Sequence, residues 1–559
     1  MTLNPIFLTG IFFFGSLILV FCYFGVDEFI RNAFKQYWKI IVILILVNIV
    51  IKIPYKSNYF DGLEYEDSYI YKASARAIYE GDYGLSKINP YYPTSCIYGS
   101  LKDCRMSGIF VTNFMGYPYL INLGYRLFGY QINISNIVSL IFSGVSIAFI
   151  FLAALLMIDR LLSAIICSFV YLTIPIFNVY ASTSLTEPLS NACLIMVLLL
   201  YLMFWNTAQE GKRSLLKNVL GLSAITFTLI FSILVKTINI SLVFCLPIAS
   251  LISLIVEKKT KDRKQKNKLL ISLPVMFSVF LFSALLLKFQ TGLEINRGDI
   301  GVNPFSFSYF KALAPIFAAS FFNFQWYLVY TLFFLGGIVF GLKKKKGIFT
   351  ILTFVFYFVL YTLHYRSYYF TRGIAATMDE ALRYMTSIIS VYALIAGLGI
   401  YALWQLIKTS KLIKTYAFAG KSILSALAIF TLAAAIVFTF KARTYFVEDE
   451  HNVRIAPVLK TLEYLKNKDS VIITSEHILF QIYGNPDLFL IDFSSIENQV
   501  SREKVDEFIQ NKDVYYLETM DRTRVGEERY QRQYKYIDSK PKECIFSSNT
   551  FRLYRIFGE

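Results

Sequence analysis

Long apolar stretches alternate with short polar gaps along most of the chain. A helix that crosses a bilayer needs about 20 predominantly apolar residues, and the sequence contains about twelve such stretches before residue 441. They lie at 5–24, 38–54, 133–157, 161–180, 188–206, 218–236, 238–256, 269–289, 322–342, 348–363, 385–405 and 422–440. This pattern predicts a polytopic α-helical membrane protein.

The segment that follows residue 440 has a different pattern, because it is polar and its apolar runs have the length of strands. Strands are predicted at 471–474, 488–493, 514–518, 544–548 and 551–557, and helices at 453–467, 476–483 and 501–511. Alternating strands and helices are typical of a layered α/β domain. We therefore predict two domains, a transmembrane domain over 1–440 that includes a first exported loop at 55–132, and an exported α/β domain over 441–559.

The composition excludes a soluble enzyme. Hydrophobic residues make up 56% of the chain and charged residues 17%, whereas soluble domains average about 45–50% and about 25%. Lys and Arg number 55 against 38 Asp and Glu, a net charge of +17. Such an excess would suggest a nucleic-acid partner in a soluble protein. Here the positive residues, 343–346 among them, lie in gaps between apolar stretches, so we predict membrane lipids and no nucleic acid as partners.

The basic residues also predict the orientation of the protein. Gaps rich in Lys and Arg occur near 31–39, 160, 212–217, 257–268, 343–346 and 408–414. All of them fall on one side if the spans alternate, and basic loops remain in the cytoplasm. This places 55–132, 181–187, 290–321, 364–384 and the C-terminal domain on the periplasmic or extracellular side of the cell (inner) membrane.

The first exported loop opens with a predicted helix over 66–79. Glu66 and Asp67 lie in its first turn, where the helix dipole and capping favour acids. Lys72 and Arg76 follow one and two turns later, close enough to pair with an acid or with an anionic ligand. Capping and a role in a site are both open interpretations of the two acids.

Charged residues also occur at the predicted exported ends of later spans. Glu187 precedes Pro188 at the start of a span, which is typical of an early-turn acid. Lys236 lies between two spans, against the charge bias, where a snorkelling side chain is one interpretation. The segment 364–384 contains Arg372 and Arg383 among many aromatic residues. That composition suits a sugar-phosphate pocket and equally an interface belt.

Several short motifs occur in a characteristic order and at characteristic places in the topology. They are 66-EDSYIYKASAR-76, 116-GYPYLINLGYRLFG-129, 185-LTEPLSN-191, 235-VKT-237 and 383-RYMTSIIS-390. Together with the many spans and the exported C-terminal domain, this order resembles the GT-C glycosyltransferases, the superfamily of lipid A aminoarabinose transferases and protein O-mannosyltransferases. The resemblance covers roughly 55–405.

The resemblance implies an enzyme that moves a sugar from a polyprenyl-phosphate donor to a lipid, glycan or protein acceptor, with inversion of the anomeric centre. An acid of the first exported loop would be the general base. Asp67 is preferred, and Glu66 and Asp61 are alternatives, since the Glu-Asp order departs from the commoner Asp-Glu or Asp-Asp. The leaving phosphate needs fixed positive charge. Candidates for donor binding are Lys72, Arg76, Lys236, Arg297, Arg366, Arg372 and Arg383, with Glu187 beside them.

Two further expectations concern metals and the competing function. The chain has only 3 His, without metal-ligand spacing, so no metal site is predicted. A Mg or Mn ion on carboxylates such as Glu66, Asp67 and Asp379 is an alternative that the spacing does not support. A transporter or flippase would place ionisable residues or broken helices at mid-membrane, whereas these spans have few charges at their centres. A ligase or polymerase of lipid-linked glycans would share the predicted topology.

Overall fold

The computed structural model of the protein describes most of its helices and strands. The described residues are 5–53, 66–80, 115–183, 185–209, 215–256, 306–363, 381–409, 429–438, 455–466, 470–476, 489–493, 499–519, 534–548 and 551–558, together with single residues between some of these ranges. The chain forms two compact units. One comprises Met1–Lys56, Asn113–Tyr117 and Asn136–Ala442, and the other comprises Ser57–Thr112, Pro118–Ser135 and Arg443–Glu559.

The described part of the chain before residue 440 is helical. Its helices are α1 (Pro5–Val26), α2 (Glu28–Ile51), α3 (Glu66–Tyr79), α4 (Gly116–Phe128), α5 (Ile134–Ile158), α6 (Leu161–Thr173), α7 (Pro175–Ala181), α8 (Thr186–Gln209), α9 (Leu215–Val235), α10 (Ser241–Val256), α11 (Phe307–Ser320), α12 (Phe324–Tyr327), α13 (Tyr330–Leu342), α14 (Lys345–Leu363), α15 (Ile389–Thr409) and α16 (Ile429–Phe438). Short 3-10 turns at Thr237–Ile240 and Thr386–Ile388 precede α10 and α15.

Within the described residues, 7 helices are long and apolar enough to cross a membrane, and the bent pair of α6 and α7 would make 8. The protein is therefore a multi-pass membrane protein, as the apolar pattern predicts. The number of about twelve spans stays a prediction, because several predicted spans are only partly described. Most of 269–289, for example, lies outside the described residues.

The predicted span over 161–180 is not one straight helix. Its two halves, α6 and α7, meet at an angle of 67°. Ile174 between them is extended, with ψ 111. Pro175 causes the break, because proline has no backbone N–H to donate and it disfavours helical geometry in the residue before it.

A second prediction, a loop over 290–321 followed by a span over 322–342, is wrong in part. The helix α11 occupies Phe307–Ser320, and the chain is interrupted before α13 begins at Tyr330. The Asn323 side chain accepts a hydrogen bond from the Gln325 N–H at 3.0 Å and so starts the short helix α12. Leu328 then takes a left-handed conformation with φ 54. Hydropathy alone suggests that a single helix starts near residue 322. Local capping instead divides this segment into α12 and α13.

Glycines allow α13 and α15 to pack closely. A Cβ atom added to Gly337 would overlap the backbone carbonyl of Ile395, and one added to Gly399 would overlap that of Phe333. Small residues of this kind allow helix backbones to approach each other inside a membrane. The contact fixes α15, whose first turns carry part of the site described below.

The C-terminal domain contains a mixed five-stranded sheet. Its elements are α17 (Ala456–Tyr464), β1 (Ser470–Thr474), β2 (Phe489–Asp492), α18 (Gln499–Asn511), β3 (Asp513–Glu518), α19 (Lys535–Asp538), β4 (Lys542–Ser547) and β5 (Arg552–Ile556). The strand order is β2-β1-β3-β5-β4, with β1 parallel to β2 and β3, and β5 antiparallel to β3 and β4. The predicted α/β architecture is confirmed.

One face of this sheet forms the core of the domain. Val471, Ile473, Val514 and Tyr516 pack with Val505 of α18, and all are almost fully buried. Each strand contributes alternate residues to this face, as the pleat requires. Both faces of β1 are buried, which explains why its sequence is continuously apolar.

Candidate functional site

The end of α9 directs Lys236 away from the helix. Lys236 is extended, with φ −154 and ψ 117, between α9 and the following 3-10 turn. Its N–H still donates to the Ser232 carbonyl at 2.9 Å. Gly116 lies against this point, since a Cβ there would be 2.7 Å from Cγ2 of Val235. Gly116, the first residue of its motif, therefore packs beside the residue before Lys236.

Lys236 forms a buried ion pair with Glu187. Its Nζ lies 2.8 Å from Oε1 of Glu187 and donates to Oγ of Ser387 at 2.7 Å. Thr186 Oγ1 lies 3.4 Å from the other carboxylate oxygen. The side chains of Lys236 and Glu187 are only 9% and 1% exposed. Lys236 thus does not snorkel to water, and Glu187 does more than occupy the first turn of α8.

A second cation lies near the same carboxylate. Nε of Arg383 is 3.7 Å from Oε1 of Glu187, and Nζ of Lys236 lies 5.8 Å from the ring centre of Tyr384. We call Glu187, Lys236, Arg383 and Ser387 the Glu187 cluster. It brings together two positive charges and one negative charge from α8, the end of α9 and the segment before α15. The cluster therefore places two cations at one buried carboxylate.

Asn191 holds the elements of the cluster together. Its Nδ2 donates to the carbonyls of Thr386 at 2.6 Å and of Glu187 at 2.9 Å, and its Oδ1 accepts from the Ser390 N–H at 2.9 Å. These bonds tie the first turns of α8 to the 3-10 turn that carries Ser387. The buried amide uses both its donor and its acceptor groups.

Asn239 ties the third element in place. Its Nδ2 donates to the Ser232 carbonyl at 2.8 Å and to Ser190 Oγ at 3.3 Å, and its Oδ1 accepts from the Tyr357 hydroxyl. The end of α9, the start of α8 and α14 are therefore linked around Lys236. Such supporting hydrogen bonds fix a site's charged groups in one geometry.

The supporting residues Asn191 and Asn239 lie in or just after the sequence motifs, although sequence reasoning did not single them out. Asn191 closes the motif that begins at Leu185, and Ser387 lies within the motif that begins at Arg383. Asn239 follows Lys236 by three residues. Each is a polar residue near the end of an apolar span and close to a charged candidate residue. That proximity was the sequence signal that could have identified them.

The first-loop candidates lie in α3, which spans Glu66–Tyr79 as predicted. Glu66 and Asp67 occupy its first turn, but their side chains are outside the described part. Lys72 is buried at 1% exposure. Arg76 pairs with Glu80, with Nε 2.8 Å from Oε1. The Arg76 guanidinium also lies 4.8 Å from the ring centre of Tyr130, so its contacts include packing within this unit.

The other nominated residues lie outside the described residues. They are Asp61, Arg297, Arg366, Arg372 and Asp379. The cysteines at 96 and 104 are also outside them. Among the residues that were described and searched, no group of three or more His, Cys, Asp or Glu could hold a metal ion.

The fold is that of two solved structures, ArnT and the oligosaccharyltransferase AglB. No protein-family model and no curated protein matches the chain, so the comparison depends on solved structures. One match is ArnT from Cupriavidus metallidurans bound to undecaprenyl phosphate, with a TM-score of 0.57 and 12% sequence identity. The match covers 92% of this chain and 97% of ArnT.

Archaeal oligosaccharyltransferase AglB from Archaeoglobus fulgidus, in complex with an inhibitory peptide and a dolichol-phosphate, also has this fold. Its TM-score is 0.53 at 11% identity, over 86% of this chain and 70% of AglB. An Archaeoglobus fulgidus oligosaccharyltransferase tethered to an acceptor peptide has a TM-score of 0.55 at 12% sequence identity. The match covers 93% of this chain and 74% of the oligosaccharyltransferase. At identities this low, the comparisons establish the fold alone.

Proposed function

We propose that the protein is an integral-membrane glycosyltransferase that transfers a sugar from a polyprenyl-phosphate donor to a lipid, glycan or protein acceptor, with inversion. One observation carries this proposal: Lys236 and Arg383 meet at one buried carboxylate, in a fold for which one solved example is bound to undecaprenyl phosphate and another is in complex with a dolichol-phosphate. The reaction takes place on the periplasmic or extracellular side of the cell membrane, the side predicted from the basic loops.

In this proposal the Glu187 cluster binds the donor phosphate. Lys236 and Arg383 supply positive charge, and the Ser387 hydroxyl supplies a further hydrogen bond. Glu187 positions both cations, since its Oε1 lies 2.8 Å from Nζ of Lys236 and 3.7 Å from Nε of Arg383. Charge-assisted hydrogen bonds of this kind strengthen as negative charge develops on a leaving phosphate. Further candidates for the donor are Lys72, Arg76 and Arg372.

The chemistry is a single displacement. An acceptor hydroxyl or amine attacks the anomeric carbon from the face opposite the phosphate, and the bond between that carbon and the phosphate oxygen breaks. The electron pair of that bond leaves with the polyprenyl phosphate, and the acceptor's proton passes to a carboxylate. We assign the proton to Asp67, with Glu66 and Asp61 as alternatives. If a divalent cation takes part, Glu66, Asp67 and Asp379 are the carboxylates that would hold it, and it would supply positive charge.

A transporter or flippase of lipid-linked glycans is the second candidate, because the membrane unit contains a bent helix pair. The α6–α7 bend of 67° and the interruption between α11 and α13 are features that transporters use around their substrates. A ligase or polymerase of lipid-linked glycans differs from the proposed enzyme mainly in the size of its donor.

Sugar transfer by the purified protein distinguishes these candidates. The protein in detergent is incubated with radiolabelled polyprenyl-phosphate monosaccharides and a membrane-lipid extract as acceptor source. We expect transfer by wild type, loss in Asp67→Asn, and wild-type transfer in Glu28→Gln, an exposed acid in the first turn of α2 that serves as a matched control. Movement of intact lipid-linked sugar across vesicles without any transfer would favour the transporter and refute the proposal.

A further inference from the structure

Lys52 is a buried cation that the proposed mechanism does not use. It follows the last residue of α2, and its N–H donates to the Ile49 carbonyl at 3.0 Å. Its side chain turns inward, since the residue is only 1% exposed. The position is the predicted exported end of the span, just before the loop that contains Glu66 and Asp67.

A chain of neutral hydrogen bonds holds the ammonium in place. Nζ of Lys52 donates to Oδ1 of Asn48, Nδ2 of Asn48 donates to Oγ of Ser143 at 2.9 Å, and that hydroxyl donates to the Leu140 carbonyl at 2.8 Å. Asn48 and Ser143 are almost fully buried. Because its nitrogen is bound to Ser143, the amide of Asn48 presents its oxygen to Lys52.

The remaining contact of the ammonium is also uncharged. Nζ lies 5.7 Å from the ring centre of Phe177 in α7. Among the described residues no carboxylate contacts Lys52, whereas Lys236 has Glu187. An ammonium carries three N–H donors, and the amide of Asn48 accepts one of them. The structure therefore fixes a positive charge whose negative partner is not a described residue.

Burial makes this charge costly. A buried charge needs a partner of opposite sign, and no described residue supplies one to Lys52. An anionic ligand would supply that negative charge.

The helix that Lys52 contacts, α7, also contacts elements of the Glu187 cluster. The short helix α7, which carries Phe177, contacts both α8 and the 3-10 turn that carries Ser387. No described hydrogen bond or ion pair joins Lys52 to Glu187, Lys236 or Arg383. The two cation positions are therefore separate.

We propose that Lys52 is an anion-binding residue, separate from the Glu187 cluster, that binds an oxygen of a phosphate monoester at the predicted exported end of the membrane unit. A lysine binds phosphate as a point charge with several donors. The choice of a monoester, as at the end of a polyprenyl phosphate, rests on the proposed function. The anion site itself rests on the contacts of Lys52.

Binding to the full-length protein in nanodiscs of neutral phosphatidylcholine tests this proposal. The probes are a polyprenyl phosphate, inorganic phosphate and added phosphatidylglycerol. Because the Glu187 cluster is a separate site for the same lipid, we expect wild type to bind polyprenyl phosphate at two sites, and Lys52→Gln to weaken one of them about tenfold or more, as loss of a charge-assisted bond would. Lys311→Gln, which removes an exposed lysine of α11, is the matched control and should bind as wild type does.

The melting temperature without ligand gives an independent readout. Lys52→Gln removes a charge that no described carboxylate pairs with, so we expect it to be at least as stable as wild type. If a carboxylate of the chain were the true partner, the variant would leave that acid unpaired and would melt lower. Lower stability together with unchanged phosphate affinity would overturn the proposal.

The three probes separate the possible outcomes. Lys52-dependent binding of polyprenyl phosphate supports the site with a lipid as the source of the phosphate. Lys52-dependent binding of inorganic phosphate alone supports the site and contradicts the proposed donor. Equal binding to wild type and Lys52→Gln, binding of phosphatidylglycerol alone, or binding of no probe to wild type overturns the proposal.

Discussion

Replacing Glu187 by Gln should strongly destabilise the membrane unit. The change leaves the buried ammonium of Lys236 without the carboxylate that lies 2.8 Å away, where both side chains are at least nine-tenths buried. It also removes the negative charge 3.7 Å from Nε of Arg383. Removing one partner of a buried ion pair costs about 3–5 kcal/mol, because the other charge remains buried and unpaired.

A double-mutant cycle separates this interaction from the general effect of each substitution. Glu187→Gln/Lys236→Met removes both charges, so the double variant should be more stable than the sum of the single losses predicts. We expect a coupling of about 2 kcal/mol. The assay is thermal unfolding of the four purified proteins in detergent, with the coupling seen as non-additive changes in melting temperature.

The exposed pair of Arg555 and Asp513 is a control for the cycle. Its atoms are as close, at 2.6 Å, but the side chains are 40% and 41% exposed. Water and salt screen such a pair, so the same cycle should show no measurable coupling. Additive losses at Glu187 and Lys236, no different from this control, would refute the reasoning that the buried charges depend on each other.

Two substitutions test the packing of the membrane unit. Gly337→Ala should lower stability by about 1–3 kcal/mol, because the new Cβ would overlap the Ile395 carbonyl, whereas Gly336→Ala, where nothing lies within 4 Å, should melt as wild type does. Asn191→Leu should lower stability by a few kcal/mol and reduce sugar transfer, because it removes the bonds between α8 and the segment before α15; unchanged melting and turnover would contradict this.

Local patterns predicted the helix of the first loop and the sheet of the C-terminal domain. The acids at 66 and 67, followed by helical periodicity, placed α3 at its observed bounds. The strands predicted at 544–548 and 551–557 are present as β4 and β5, which pair antiparallel. These features depend on residues close in sequence, so the sequence alone contains enough information.

The interrupted helices required information that hydropathy does not contain. An apolar stretch has the same average whether its helix is straight or bent, so the 67° angle at Pro175 was missed. The restart of the helix at Asn323 depends on one side-chain hydrogen bond. Proline and asparagine within predicted spans were the available signals.

The Glu187 cluster was predicted residue by residue but not as a unit. Glu187, Lys236 and Arg383 were each nominated for lying at the end of a span. Their convergence depends on how three helices pack, across 49 residues between Glu187 and Lys236 and 151 between Lys236 and Ser387. No spacing rule connects residues that far apart in a sequence.

Single-turnover sugar transfer, measured together with donor binding, tests the central claim most directly. With a labelled polyprenyl-phosphate sugar accepted by wild type, Lys236→Gln should bind the donor more weakly, because it removes a phosphate contact. Asp67→Asn should bind it normally and transfer at least about a hundredfold more slowly, because it removes the base. This division between binding and chemistry would support a glycosyltransferase whose phosphate site is the Glu187 cluster. Wild-type binding and transfer in both variants would contradict it.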